Sequence, residues 1–157
     1  MITYEIFRPG EEDAVYDLVM RVFDKYVAPD YTEQGRRTFQ DYVAPARILE
    51  RFYNRADFIL TAKASSKIVG VLSLKERKHI SLLFVAEAWQ RQGIARQLYQ
   101  RAWQDLNIES GSGREITVNS SPYAVSVYRE LGFKSFATEQ ERDGIRFIPM
   151  KAELPDR

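Results

Sequence analysis

Leu82-Leu83-Phe84-Val85-Ala86-Glu87-Ala88-Trp89-Gln90-Arg91-Gln92-Gly93-Ile94-Ala95-Arg96 runs from an apolar, strand-forming segment through a short loop into a helix whose first turn holds Gly93 and Ala95. Amides at a helix start have no intrahelical acceptor and lie at the positive end of the dipole, so they favour an anion. Small residues there let a pyrophosphate reach the main chain, and Arg91 and Arg96 add positive charge. The segment has no Gly-Lys-Ser/Thr, which excludes a P-loop, and no Gly-x-Gly-x-x-Gly, which excludes the dinucleotide fingerprint.

Upstream of this segment three short apolar runs, 57–64, 67–75 and 79–86, are separated by small polar turns and predict antiparallel strands. Residues 2–8, rich in β-branched and aromatic types, predict a first strand ended by Pro9-Gly10. From Glu11 to about Val27, Val15, Leu18, Val19, Val22, Phe23 and Tyr26 form one stripe at helical spacing. Pro29 and Pro45 punctuate residues 28–56, for which one or two short helices are expected.

Downstream, helical spacing returns over 91–107 and a strand is expected at 114–119. Ser121 then suits a helix N-cap with Pro122 in the first turn, and Gly132 suits the C-terminal end. Two closing strands, 133–138 and 145–151, are joined by a turn at Arg142-Asp143-Gly144. The result is an α/β mixed sheet with helices on its faces, and the 145–151 strand is expected to be an exposed edge on which a homodimer could form.

At 157 residues and 45% hydrophobic composition the chain fits a single domain, 1–157, able to bury a core without staples; Glu109–Gly113 is too short for an interdomain linker. With no cysteine and one histidine, thiolate metal sites, cysteine nucleophiles and multi-histidine zinc sites are excluded, and no metal is expected. A net charge of +1 gives no global field for nucleic acid or a membrane surface. No signal-peptide pattern or membrane-length apolar run is present, so a cytoplasmic protein is the expectation.

Gln90-Arg91-Gln92-Gly93-Ile94-Ala95 resembles the Gln/Arg-x-x-Gly-x-Gly/Ala motif of the GNAT superfamily of acyl-CoA-dependent N-acetyltransferases. Asn119-Ser120-Ser121-Pro122-Tyr123-Ala124-Val125-Ser126-Val127-Tyr128-Arg129-Glu130-Leu131-Gly132-Phe133 is similar to the family's second signature: Asn, then Ala, then Tyr shortly before Gly-Phe. The resemblance covers residues 57–151. It implies a GNAT-like fold, with about seven mostly antiparallel strands splayed between 79–86 and 114–119 and about four flanking helices. It also implies that Arg91, Gln92, Gly93, Ile94, Ala95 and Arg96 hold the pyrophosphate of acetyl-CoA. Phe84 and Val85 would offer backbone groups, freed by a bulge, to the pantetheine arm and the acetyl carbonyl, and Asn119 would bond the arm from the other side.

The same resemblance makes Tyr128 the general acid for the departing thiolate, a task a phenol of pKa about 10 can perform while protonated at rest. The base that deprotonates the amine is His79, Glu76 or water; His79 stands where some relatives carry a glutamate. Direct transfer from acetyl-CoA to a primary amine of a small molecule or peptide is the expected activity. The alternative is an acyl-CoA-binding sensor or interaction module with little catalysis. The acceptor side falls in the segment holding Phe23, Tyr26, Tyr31, Phe39 and Tyr42, of which one or two are expected to touch substrate.

Overall fold

The computed structural model describes residues 1–105 and 115–153. The β-rich runs pair as an antiparallel meander: β1 (Ile2–Ile6), β2 (Asp57–Ala64), β3 (Lys67–Lys75) and β4 (His79–Val85). β3 is buried from Ile68 to Leu74, which explains why it reads as a nearly continuous apolar run: it is covered on both faces. One face packs Leu60, Leu72 and Ile80 against α4 (Ile94–Asp105) and α5 (Val125–Glu130) through Leu98 and Tyr128. The other packs Ile59, Val71 and Leu82 against α1 (Glu12–Val22) and α3 (Pro45–Tyr53) through Val15, Val19 and Ile48.

The stripe expected over residues 11–27 forms α1 and then widens into a π-helical turn, Phe23–Val27. Residues 28–56 hold two helices. Pro29 lies in a 3₁₀ turn, Thr32 caps α2 (Glu33–Tyr42) by accepting the Gly35 amide at 3.1 Å, and Pro45 opens α3. Gly35 is required by close approach, because a Cβ there would lie 2.2 Å from the Gly144 carbonyl oxygen. That contact seats α2 on the turn between β7 (Gln140–Arg142) and β8 (Ile145–Glu153), reinforced by the Thr32 amide donating to the same carbonyl at 3.1 Å.

β5 (Glu115–Ser120) runs parallel to β4, and β8 returns antiparallel beside β5. The sheet order is β1-β2-β3-β4-β5-β8-β6, where β6 is Lys134–Ser135 and β7 pairs with the far end of β8. Among the described residues there are eight strands and five α-helices, in keeping with the mostly antiparallel sheet and flanking helices expected, with one more of each in number. Two expectations about the C-terminal strands change. The strand expected at 133–138 contracts to the two residues of β6, and β7 forms from residues outside both expected strands, taking Arg142 from the expected turn. The strand at 145–151 is not an edge: β8 pairs with β5 on one side and with β6 and β7 on the other, because the segment after Phe133 folds back onto it. The Glu109–Gly113 loop and Arg114 lie outside the described residues.

Candidate active site

β4 and β5 pair only through His79↔Thr117 and Ile80↔Val118, and then part. The register between β3 and β4 shifts opposite Ser81, which faces no β3 partner, so a bulge bends β4 where the separation begins. From Ser81 to Val85 the strand has no ladder partner on its β5 side. The gap widens into a cleft of about 1040 Å³.

At the mouth the chain leaves β4 through a 3₁₀ turn, Glu87–Trp89, fixed by the Gln90 side-chain amide donating to the Val85 carbonyl at 3.0 Å. Arg91 and Gly93 adopt left-handed backbone, φ 62° and 82°. The first bond of α4 comes from the Gln97 amide to the Gly93 carbonyl at 3.0 Å, and the amides of residues 91–96 find no backbone acceptor among the described residues. Free amides at a helix start, with two arginines beside them, favour an anion. Arg96 also ties this helix to α5 by donating to the Glu130 carbonyl at 2.9 Å.

Ser121 caps the chain leaving β5, its hydroxyl accepting the Ala124 amide at 3.2 Å, and a 3₁₀ turn, Pro122–Ala124, leads into α5. One turn on, Tyr128 is buried with its ring edge-on to Phe133 at 5.5 Å, yet it lines the cleft. Burial, with a smaller contribution from Tyr31, pushes its pKa well above that of an ordinary phenol. Tyr31 faces the same space and is itself pushed up to about 12, by burial first and then by Asp30. The tyrosine therefore stays a protonated donor at any physiological pH.

His79 sits at the closed end of the cleft. Its Nδ1 shares a 2.7 Å hydrogen bond with the Thr117 hydroxyl, and burial, helped by Lys75 opposite it on β3, lowers its pKa. Below its usual range the imidazole is neutral near pH 7 and able to accept a proton. Glu76 does not reach this site. It lies in the β3–β4 turn and lines a separate hollow with Phe52, Tyr53 and Arg77, so it is removed as a candidate base.

The cleft thus gathers Tyr128, His79, Phe84, Val85, Arg91, Gly93, Ile94, Ala95, Arg96 and Asn119. Of the expected cofactor-binding residues Gln92 alone does not line it, its side chain turning back to donate to the Ala88 carbonyl at 3.4 Å. Of the aromatic set, Tyr31, Phe39 and Tyr42 line the cleft. Phe23 is core, stacked 4.2 Å from Phe39, and Tyr26 stacks at 4.8 Å on Tyr123 from across the chain. Sequence reading passed over Thr117, Lys75 and Tyr31 as individual site residues. Thr117 carries a faint signal, lying two residues before Asn119 and hence on the same strand face.

A family model described as an acetyltransferase (GNAT) domain matches residues 27–154. The chain belongs to the GNAT acetyltransferase family. Among solved structures, this GNAT chain is similar to a GCN5-related N-acetyltransferase (aminotransferase, class-II) from Rhodopseudomonas palustris, with 17% identity, TM-score 0.80, and 97% of this chain and 95% of that one covered. It is also similar to the PaiA N-acetyltransferase of Thermoplasma acidophilum in complex with coenzyme A, at 18% identity and TM-score 0.77 over 98% and 99% of the two chains. An aminoglycoside 6′-N-acetyltransferase complexed with coenzyme A gives 14% identity and TM-score 0.68 over 99% and 98%. At these identities the likeness is one of fold. Comparison with curated proteins gives no match. Among the described residues no helix is long and apolar enough to cross a membrane, and no cluster of three or more His, Cys, Asp or Glu is placed to hold a metal ion.

Proposed function

We propose that this GNAT domain transfers an acetyl group directly from acetyl-CoA to a primary amine, with Tyr128 as general acid and His79 as base. The observation that carries the reading is the parting of β4 and β5 beyond Ile80, directly before a loop of free amides and with the Tyr128 phenol lining the same cleft. Residues 91–96 would hold the pyrophosphate through main-chain N–H groups, aided by Arg91 and Arg96. The unpartnered side of β4 from Ser81 to Val85 would pair with the pantetheine arm and donate to the thioester oxygen, with Asn119 opposite.

In the transfer step the amine nitrogen, relieved of its proton by His79, forms a C–N bond to the thioester carbon. The carbonyl oxygen takes negative charge, which main-chain N–H groups of β4 stabilise. Collapse of the adduct breaks the C–S bond as the nitrogen loses its second proton to solvent, leaving a neutral amide, and Tyr128 gives its proton to the leaving sulfur and regains one from the same solvent. Thr117 keeps the imidazole of His79 oriented throughout.

The test is acetyl-CoA-dependent thiol release by the purified protein against amino acids, short peptides, polyamines and aminoglycosides, with Tyr128→Phe beside it. Release that depends on an acceptor and falls in the variant supports the reading. Tight acetyl-CoA binding without release across the panel would favour the sensing role instead.

A further inference from the structure

The charges that line the cleft are unevenly spread. Lys75, Arg91 and Arg96 face it, against a single carboxylate residue, Glu130, which belongs to the diphosphate end where Arg96 meets α5. At the opposite end Lys75 and His79 are direct cross-strand partners on the face that β4 turns toward α1 and α2. Lys75 is exposed and forms no ion pair among the described residues. Its other cross-strand neighbour, Asp57, does not line the cleft: its carboxylate is buried and held by Arg51 at 2.9 Å and by the Ser73 hydroxyl at 3.1 Å. The same cleft is walled on its α2 side by the aromatic residues Tyr31, Phe39, Tyr42 and Phe84. Arg51 stacks 3.9 Å from the Tyr42 ring on the side of the Asp57 pair, which fixes that wall.

We propose that the acceptor is a hydrophobic α-amino acid, its carboxylate paired with Lys75, its amine beside His79 and its side chain enclosed by Tyr31, Phe39 and Tyr42. The inference rests on the acetyl-transfer reading and sharpens it. Directly opposed residues on neighbouring strands hold their Cβ atoms about 5 Å apart. A cation and a proton acceptor at that spacing match an anion and an amine separated by one carbon, which is the α-amino acid arrangement. A polyamine or an aminoglycoside would bring several positive charges to an end of the cleft where, among the described residues, Lys75 has no ion-pair partner and no carboxylate lines the wall, so each is repelled.

The experiment measures kcat/KM for thiol release with L-phenylalanine and L-leucine, with their decarboxylated counterparts phenethylamine and isoamylamine, and with spermidine, in the native protein and in Lys75→Met. The native protein is expected to favour each amino acid about tenfold or more over its decarboxylated amine and over spermidine. Lys75→Met should lose most of that preference through a raised KM for the amino acids, with acetyl-CoA affinity unchanged because the lysine is exposed and remote from residues 91–96. Equal rates for amino acid and amine, preference for spermidine, or an unaltered preference in Lys75→Met would each overturn the inference and leave acetyl transfer standing. No release with any of the five would overturn it too, and release from another acceptor in the wider panel would then show that the transfer reading survives.

Discussion

Replacing Tyr128 by Phe separates its chemical role from its structural one. The ring is buried against Phe133 at 5.5 Å and lines the cleft, so removing the hydroxyl alone keeps the ring's packing. The stability cost should be under about 1 kcal/mol, whereas Tyr128→Ala, which empties the ring's space, should cost about 3–5 kcal/mol. Loss of a general acid lowers turnover by about 10²-fold or more. Urea denaturation should therefore place the Phe variant within error of the native protein, and calorimetry should return the same acetyl-CoA affinity. Stopped or continuous thiol assays should show kcat reduced about 10²-fold. A Phe variant with undiminished kcat would refute the assignment of the acid, and one that unfolds easily would refute the account in which the ring, not the hydroxyl, carries the packing.

Three further outcomes follow from particular contacts. Gly93 has φ 82° with open space around it, so Gly93→Ala should cost about 1 kcal/mol from backbone strain alone, read in thermal denaturation, while weakening acetyl-CoA binding in calorimetry. Arg51→Ala leaves the buried Asp57 carboxylate without its cation and should destabilise the fold by about 3 kcal/mol in urea, far more than Arg47→Ala, which breaks only an exposed pair with Glu50. His79 has a pKa lowered by burial and by Lys75, so below about pH 6.5 the unfolded chain binds more protons there than the folded one, and stability falls as pH drops through that range. Urea midpoints at pH 8 and pH 5 should show His79→Gln losing less stability on acidification than the native protein; equal losses would mean that His79 does not charge on unfolding.

The sequence made legible those parts of the molecule that depend on neighbours in the chain. Strands 57–64, 67–75 and 79–86 end within a residue of expectation because their β-branched runs are bounded by tight polar turns, and the Ser121 cap and Gly93 turn declare themselves through residue type. Features made by distant residues were hidden. Residues 28–56 resolve into two helices only because α2 can seat Gly35 against Gly144, more than one hundred positions away, as the Thr32–Gly144 contact with its sequence separation of 112 illustrates. The 2.7 Å bond between His79 and Thr117 exists because two strands run parallel for two residues, which no local pattern announces. β7 went unseen for the same reason, since its three exposed residues form a strand only by pairing with β8. Tyr31 was one aromatic among five; its place in the cleft comes from the 3₁₀ turn that ends at Asp30.

The central claim, that the gap between β4 and β5 receives acetyl-CoA, is tested most directly by titrating the ¹⁵N-labelled protein with acetyl-CoA and following the amide resonances. The account predicts saturable shifts concentrated at Arg91–Arg96 and Ser81–Val85, with smaller ones at Asn119 and near Tyr128. Shifts centred on another surface, or none at concentrations that saturate a CoA-dependent acetyltransferase, would contradict it.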